Sequence, residues 1–186
     1  MELDDLRSFE AQMPPEVIVT TRRGTRLSIL ASTKPPLQRV RSYEAERSKP
    51  LHGWVNRKPA TGGYNCYGHI LASRRAVLPL DDEDLVRCLR EDGYRPLSPK
   101  EPVATGDVVL YRDPKVGILH MGAVICQQRI AEDTVGFTGM TDRMLMRVLS
   151  KWDQHWGEDV HRLHDVPAAW GSPEQEIWTD RPRPRA

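Results

Sequence analysis

The order of local patterns along this 186-residue chain predicts an α+β domain, with helices leading and an antiparallel sheet following. Two observations carry that expectation. Segments with apolar residues at helical spacing lie around Cys66 and Leu85, and strand-like segments separated by turn residues follow from Thr105 onward.

Residues 1–50 read as an N-terminal arm or hairpin with a linker. The segment "DDLRSFEAQM" suggests a short helix ending at Pro14-Pro15. "EVIVTT" turns through "RRG" into "TRLSILAS", and the basic, proline-bearing "TKPPLQRVRSYEAERSKP" reads as linker. The main domain is expected over residues 51–171. "LHGWVNRKPATGGYN" is rich in Gly, Pro and Asn and reads as a loop. "CYGHILASRRAVL" places Tyr67, Ile70, Leu71, Val77 and Leu78 near a 3.6-residue period, and Asn65 stands at its N-cap position. "LDDEDLVRCLREDGY" is a clearer helix: acidic residues occupy its first turn, Leu85, Val86 and Leu89 form its apolar face, and Gly93 is placed to end it.

Strands are expected next. "TGDVVLYRD" opens on a Gly-Asp turn, "VGILHMGAVICQQ" is a second strand, and "DTVGFTG" suggests a third. "DRMLMRVLSKWD" fits either period, and its setting among strands favours the sheet. Residues 172–186, ending in "TDRPRPRA", are proline-spaced and basic, which predicts a disordered tail.

Composition narrows the function. Lys plus Arg number 27 and Asp plus Glu 26, a formal net charge of +1, so no basic excess favours nucleic acid or a membrane surface. No apolar run reaches membrane-spanning length, and the polar start "MELDDLRSFEAQMPPE" has no signal-peptide core. A cytoplasmic location is expected, with secretion by a signal-independent route as the alternative. Three cysteines do not make a disulfide framework. Cys88 and Cys126 look like small core hydrophobes, whereas Cys66 stands among turn formers at a helix start.

That position suits a nucleophile. Thiolate is the reactive form, and the N–H groups and positive end of a helix stabilise it. The same N–H groups can face the oxyanion of a tetrahedral intermediate, with Asn65 as a further donor. A base must reach the sulfur. His69, one turn along the same helix, points along it and is a poor partner. His120, in the otherwise apolar "GILHMGAVI", is the better candidate.

Taken together, "YNCYGHILASRR", "GDVVLYRDP" and "LHMGAVI" resemble the papain-like cysteine hydrolases of the NlpC and CHAP type. Those proteins carry Cys at a helix start, a Gly-Asp-hydrophobic strand, then His on the next strand. The later "SKW", followed by a histidine and "DVP", is similar to a bacterial papain-like group with a "YNC" segment. The resemblance spans about residues 51–171. It implies Cys66 as nucleophile, His120 as base, no metal or organic cofactor, and a peptide, peptidoglycan-peptide or protein substrate. Two departures matter. The NlpC segment Asp-Cys-Ser-Gly is replaced by Asn65-Cys66-Tyr67-Gly68, and the third residue, which would orient the imidazole, is not obvious. Ser150, His161 and Asp133 are the alternatives, with His161 favoured by the "SK … H" pattern.

Two rival readings remain. Cys66 with His69, and His155, His161 and His164 in "HWGEDVHRLH", suggest a zinc site, although no CxxC pair supports it. A catalytically inactive papain-like binding or interaction module is the other, with Trp54, Trp152, Trp156, Trp170 and Trp178 as an aromatic recognition surface and Trp54 a candidate substrate contact. Those tryptophans equally suit a core that has only two phenylalanines.

Overall fold

A computed structural model describes residues 18–50, 53–130 and 143–183. The expected first helix (residues 4–13), the "DTVGFTG" strand and Asp133 lie outside the described residues.

The expected hairpin is present as β1 (Val19–Thr20) and β2 (Arg26–Leu27), antiparallel, with Gly24 at φ 87° in the turn between them. The expected linker, however, contains helix α1 (Leu37–Arg47). Its sequence shows no apolar stripe because Tyr43 is its only buried side chain. Tyr43 donates to Asp159 Oδ2 at 2.6 Å and accepts from Asn56 at 2.7 Å, so a single side chain that joins ring packing to polar contacts docks this helix in place of a continuous apolar face.

The presumed loop 51–65 likewise contains an edge strand, β3 (Val55–Lys58). Helix α2 (Cys66–Leu71) follows. Asn65 caps it, accepting from Gly68 N at 2.9 Å and Leu78 N at 3.1 Å while donating to Leu78 O at 2.8 Å. The helix is shorter than its periodicity predicts. Ser73 and Arg74 have φ of 48° and 68° and turn the chain back, so Val77 and Leu78 are buried from beyond the helix. A methyl group at Gly68 would lie 1.7 Å from Ala76 O, so only glycine allows that return.

Helix α3 (Asp82–Glu91) matches its sequence pattern: Asp81 caps it at 2.8 Å from Asp84 N, Leu85, Cys88 and Leu89 are buried, and Gly93 ends it at φ 90°.

The remainder is one antiparallel seven-stranded sheet, so the domain is α+β. Its strands are β3, β4 (Arg95–Pro96), β5 (Val108–Asp113), β6 (Gly117–Ile130), β7 (Arg143–Lys151), β8 (Glu158–Arg162) and β9 (Glu174–Thr179), in spatial order β3-β8-β7-β6-β5-β9-β4. The expected strands β5, β6 and β7 form its centre. The expected disordered tail does not hold from 174 to 179: β9 sits between β5 and β4, with Trp178 and Thr179 buried. Arg181 then clamps the buried Asp107 with Nη2–Oδ2 at 2.7 Å and Nε–Oδ1 at 3.1 Å, which makes the Asp of the Gly-Asp turn an anchor for the C-terminal segment.

Alternation along the strands gives the sheet two faces. Val108, Leu110, Met121 and Trp178 face α2 and α3, against Leu85, Leu89, Tyr67 and Ile70. Val109, Tyr111, Val124 and Val148 face the other way, packing with Tyr43, Trp152 and Val166. Cys88 is buried as expected, but Cys126 is exposed rather than a core residue. Among the described residues, no helix is long and apolar enough to cross a membrane.

Candidate functional site

Cys66 is the first residue of α2 and is 9% exposed. The backbone N–H groups of Met121, Tyr67 and Cys66 itself lie near the thiol and favour thiolate. Burial is the larger influence and pushes the thiol up to about 11. The helix start is therefore where the sequence places it, yet the resting group is a protonated thiol rather than a preformed anion.

The influence of the Met121 N–H shows which part of β6 the sulfur adjoins. The β6–β7 ladder ends at the Gly122–Ser150 pair, and one residue further the Met121 N–H, beyond the last β7 partner, lies near the sulfur. His120 is the preceding residue on β6. Its ring lies on the face away from α2, with centroids 5.3 Å from Trp152, 5.2 Å from Trp170 and 5.8 Å from Tyr111. It is 0% exposed, and neither ring nitrogen has a hydrogen-bond partner, Cys66 included. Burial, reinforced by His161 and His69, holds its pKa well below the usual value, so the imidazole is neutral. An orphaned imidazole at 0% exposure is uncommon and calls for a functional or structural reason.

His161 is not a surface group. It is fully buried on β8, where Nε2 lies 2.8 Å from Ser150 Oγ and Nδ1 2.8 Å from Arg162 O. Donation by Nδ1 to that carbonyl leaves Nε2 to accept the Ser150 hydroxyl. Both nitrogens are thereby committed, so His161 does not hold the His120 ring by a hydrogen bond, and Ser150 is engaged in the same pair. Burial lowers the His161 pKa to about 4. No orienting partner for His120 is found among the described residues.

The other candidates separate. The Asn65 side chain is spent on the cap and on Leu78, so it serves to set the helix start. Trp54 stacks on Trp152 at 4.5 Å and donates to Asp165 O, which makes it part of the aromatic core rather than an open contact surface. Trp152 and Trp178 are buried, whereas Trp54 is half-buried. His155 bonds Thr33 Oγ1 at 2.9 Å, and His164 is exposed. Among the described residues no group of three or more His, Cys, Asp or Glu is arranged to hold a metal ion.

One cluster was not foreseen. On the α2 side of the sheet, Glu158 accepts from Arg74 Nε at 2.7 Å and Nη2 at 3.1 Å and from the Tyr64 hydroxyl, with His69 Nε2 at 3.9 Å. Burial would raise the Glu158 carboxyl, but the Arg74 and Tyr64 hydrogen bonds outweigh it and hold it below the usual range. Burial in the same pocket lowers His69 to about 4. Beside Glu158 across the β7–β8 ladder lies Lys151, also fully buried. In sequence these residues are scattered through a loop, a turn and two strands. The one local hint was the charged pair Glu158-Asp159 within a strand, where alternation sends one carboxylate to each face.

The chain matches no family model, no curated protein and no solved structure.

Proposed function

We propose that this chain is a papain-like cysteine hydrolase that cleaves an amide bond through Cys66 and His120. The observation that carries the reading is the junction on β6: the Cys66 sulfur lies near the Met121 N–H, and the residue before it is a buried histidine with both ring nitrogens free of partners.

Both groups are neutral at rest, so the chemistry is general-base-assisted attack rather than reaction of a standing ion pair. As sulfur bonds to the carbonyl carbon, the thiol proton passes to a ring nitrogen of His120, a transfer that requires the ring to turn from its Trp152 packing toward the Cys66 side of β6. The N–H groups of Cys66, Tyr67 and Met121 are the donors available to the thiolate and to the developing oxyanion. Imidazolium then returns the proton to the leaving amine as the carbon–nitrogen bond breaks. Water, giving a proton to His120, attacks the thioester, releases the carboxylic acid and restores the thiol. Peptides, including those of peptidoglycan, or proteins are the substrate class.

Incubation with peptidoglycan fragments and with protein substrates, read by mass spectrometry, tests this. Amide cleavage lost in both Cys66→Ala and His120→Ala, with an acyl adduct on Cys66 in the wild type, is expected. Products that persist in Cys66→Ala would overturn it.

A second reading has its own support. The raised thiol and the wall of Trp152, Trp170 and Tyr111 around His120 suit a papain-like module without activity. Equal, slow iodoacetamide labelling of Cys66 and Cys88 at neutral pH would favour that module.

A further inference from the structure

We propose that Lys151 is a positioning residue for Cys66: its buried ammonium fixes the segment leading into α2 and supplies positive charge on the thiol side of the sheet. The inference rests on Cys66 being the reacting group.

Lys151 is the last residue of β7 and is 0% exposed. Strand alternation places its side chain with that of Glu158, on the face that α2 covers. Its Nζ donates to three backbone carbonyls, Thr61 O at 2.8 Å, Gln154 O at 3.1 Å and Trp156 O. The Tyr64 ring centroid lies 5.2 Å from Nζ. One side chain thus holds both ends of the stretch 61–64 that delivers Cys66, and ties it to the turn following β7.

A tether alone does not explain the choice of residue. Burying an ammonium is costly, and a neutral side chain could brace the loop without that cost. Carbonyl oxygens solvate the cation but do not neutralise it. The two carboxylates whose charge acts on it, Asp153 and Glu158, are already bound to other cations, Arg39 and Arg74. The Cys66 sulfur is the remaining group among those acting on Lys151 that could become an anion. Burial lowers Lys151 to about 8, which leaves it charged at neutral pH, where a nucleophilic thiolate has to form.

Iodoacetamide modification of each cysteine in the full chain, resolved by peptide mass spectrometry, tests the proposal without a substrate. At pH 7, K151M is expected to slow Cys66 about tenfold, the effect of one pKa unit, with exposed Cys126 unchanged, and K151R is expected to restore most of the rate. A folded K151M whose Cys66 reacts as fast as wild type, or faster, overturns the proposal, since a mere seal would loosen. Should K151M not fold, the wild-type pH profile decides. The Cys66 rate is expected to climb less than tenfold per pH unit as pH passes the Lys151 value of about 8. A tenfold rise per unit throughout overturns it. If Lys151-dependent reactivity is present but no amide is cleaved, the hydrolase reading alone falls.

Discussion

His120 and His161 stand on the same face of the sheet, both fully buried, both beside Tyr111 and Trp152, and they are treated oppositely by their surroundings. His161 has a carbonyl for its N–H and a hydroxyl for its lone pair. His120 has aromatic rings around it and no hydrogen-bond partner for either nitrogen. A histidine placed only to fill space would be replaced at less cost by an apolar ring, because each unpaired buried nitrogen forfeits its hydration. The satisfied histidine is therefore explained by the fold. The unsatisfied one is not, and it is the one next to the Cys66 contact.

The largest expected effect on this comparison is that of acid. Folded His69 and His161 titrate near 4, below the usual 6.5, because burial disfavours the imidazolium. Below 6.5 the unfolded chain binds protons that the folded one refuses. The stability these groups contribute is thus full above about pH 6.5 and is lost as pH falls toward 4, on the order of 3 kcal/mol for each. Chemical denaturation at several pH values checks this; a flat profile between pH 7 and 4 would contradict neutral burial. Glu158→Ala is expected to cost about 3–4 kcal/mol, since it strips the partner from Arg74 and Tyr64 beneath α2, and thermal melts with urea titration measure it. His161→Phe is expected to cost about 2 kcal/mol by leaving the Ser150 hydroxyl unpaired. His120→Phe should instead be neutral or stabilising by about 1 kcal/mol while abolishing any Cys66-dependent cleavage, a stability–activity split that His161→Phe cannot produce. If both substitutions destabilise equally, the contrast between the two histidines disappears.

Much of the centre was legible. Helix α3, the start of α2 at Asn65-Cys66, and strands β5, β6 and β7 follow from caps, period and turn residues, because each of those signals is local. Helix α1 was not legible, since its one buried side chain is held by Asp159 and Asn56 from distant strands. Strand β9 was hidden by its basic, proline-bearing surroundings, and Arg181 gains its role only when folding brings it to Asp107, 74 residues away. The favoured third residue His161 reads identically in sequence whether it orients an imidazole or bonds a serine.

The amino-acid sequence by itself determined that a cysteine begins a helix and that a histidine sits in an apolar strand, because capping and side-chain period are settled within a few residues. Only tertiary structure decided that the thiol rests protonated and that His120 is unpartnered while His161 is satisfied. It alone brought Lys151, Glu158, Arg74 and Tyr64 together under α2. Those outcomes depend on burial and on partners far apart in the chain, and no local pattern encodes either.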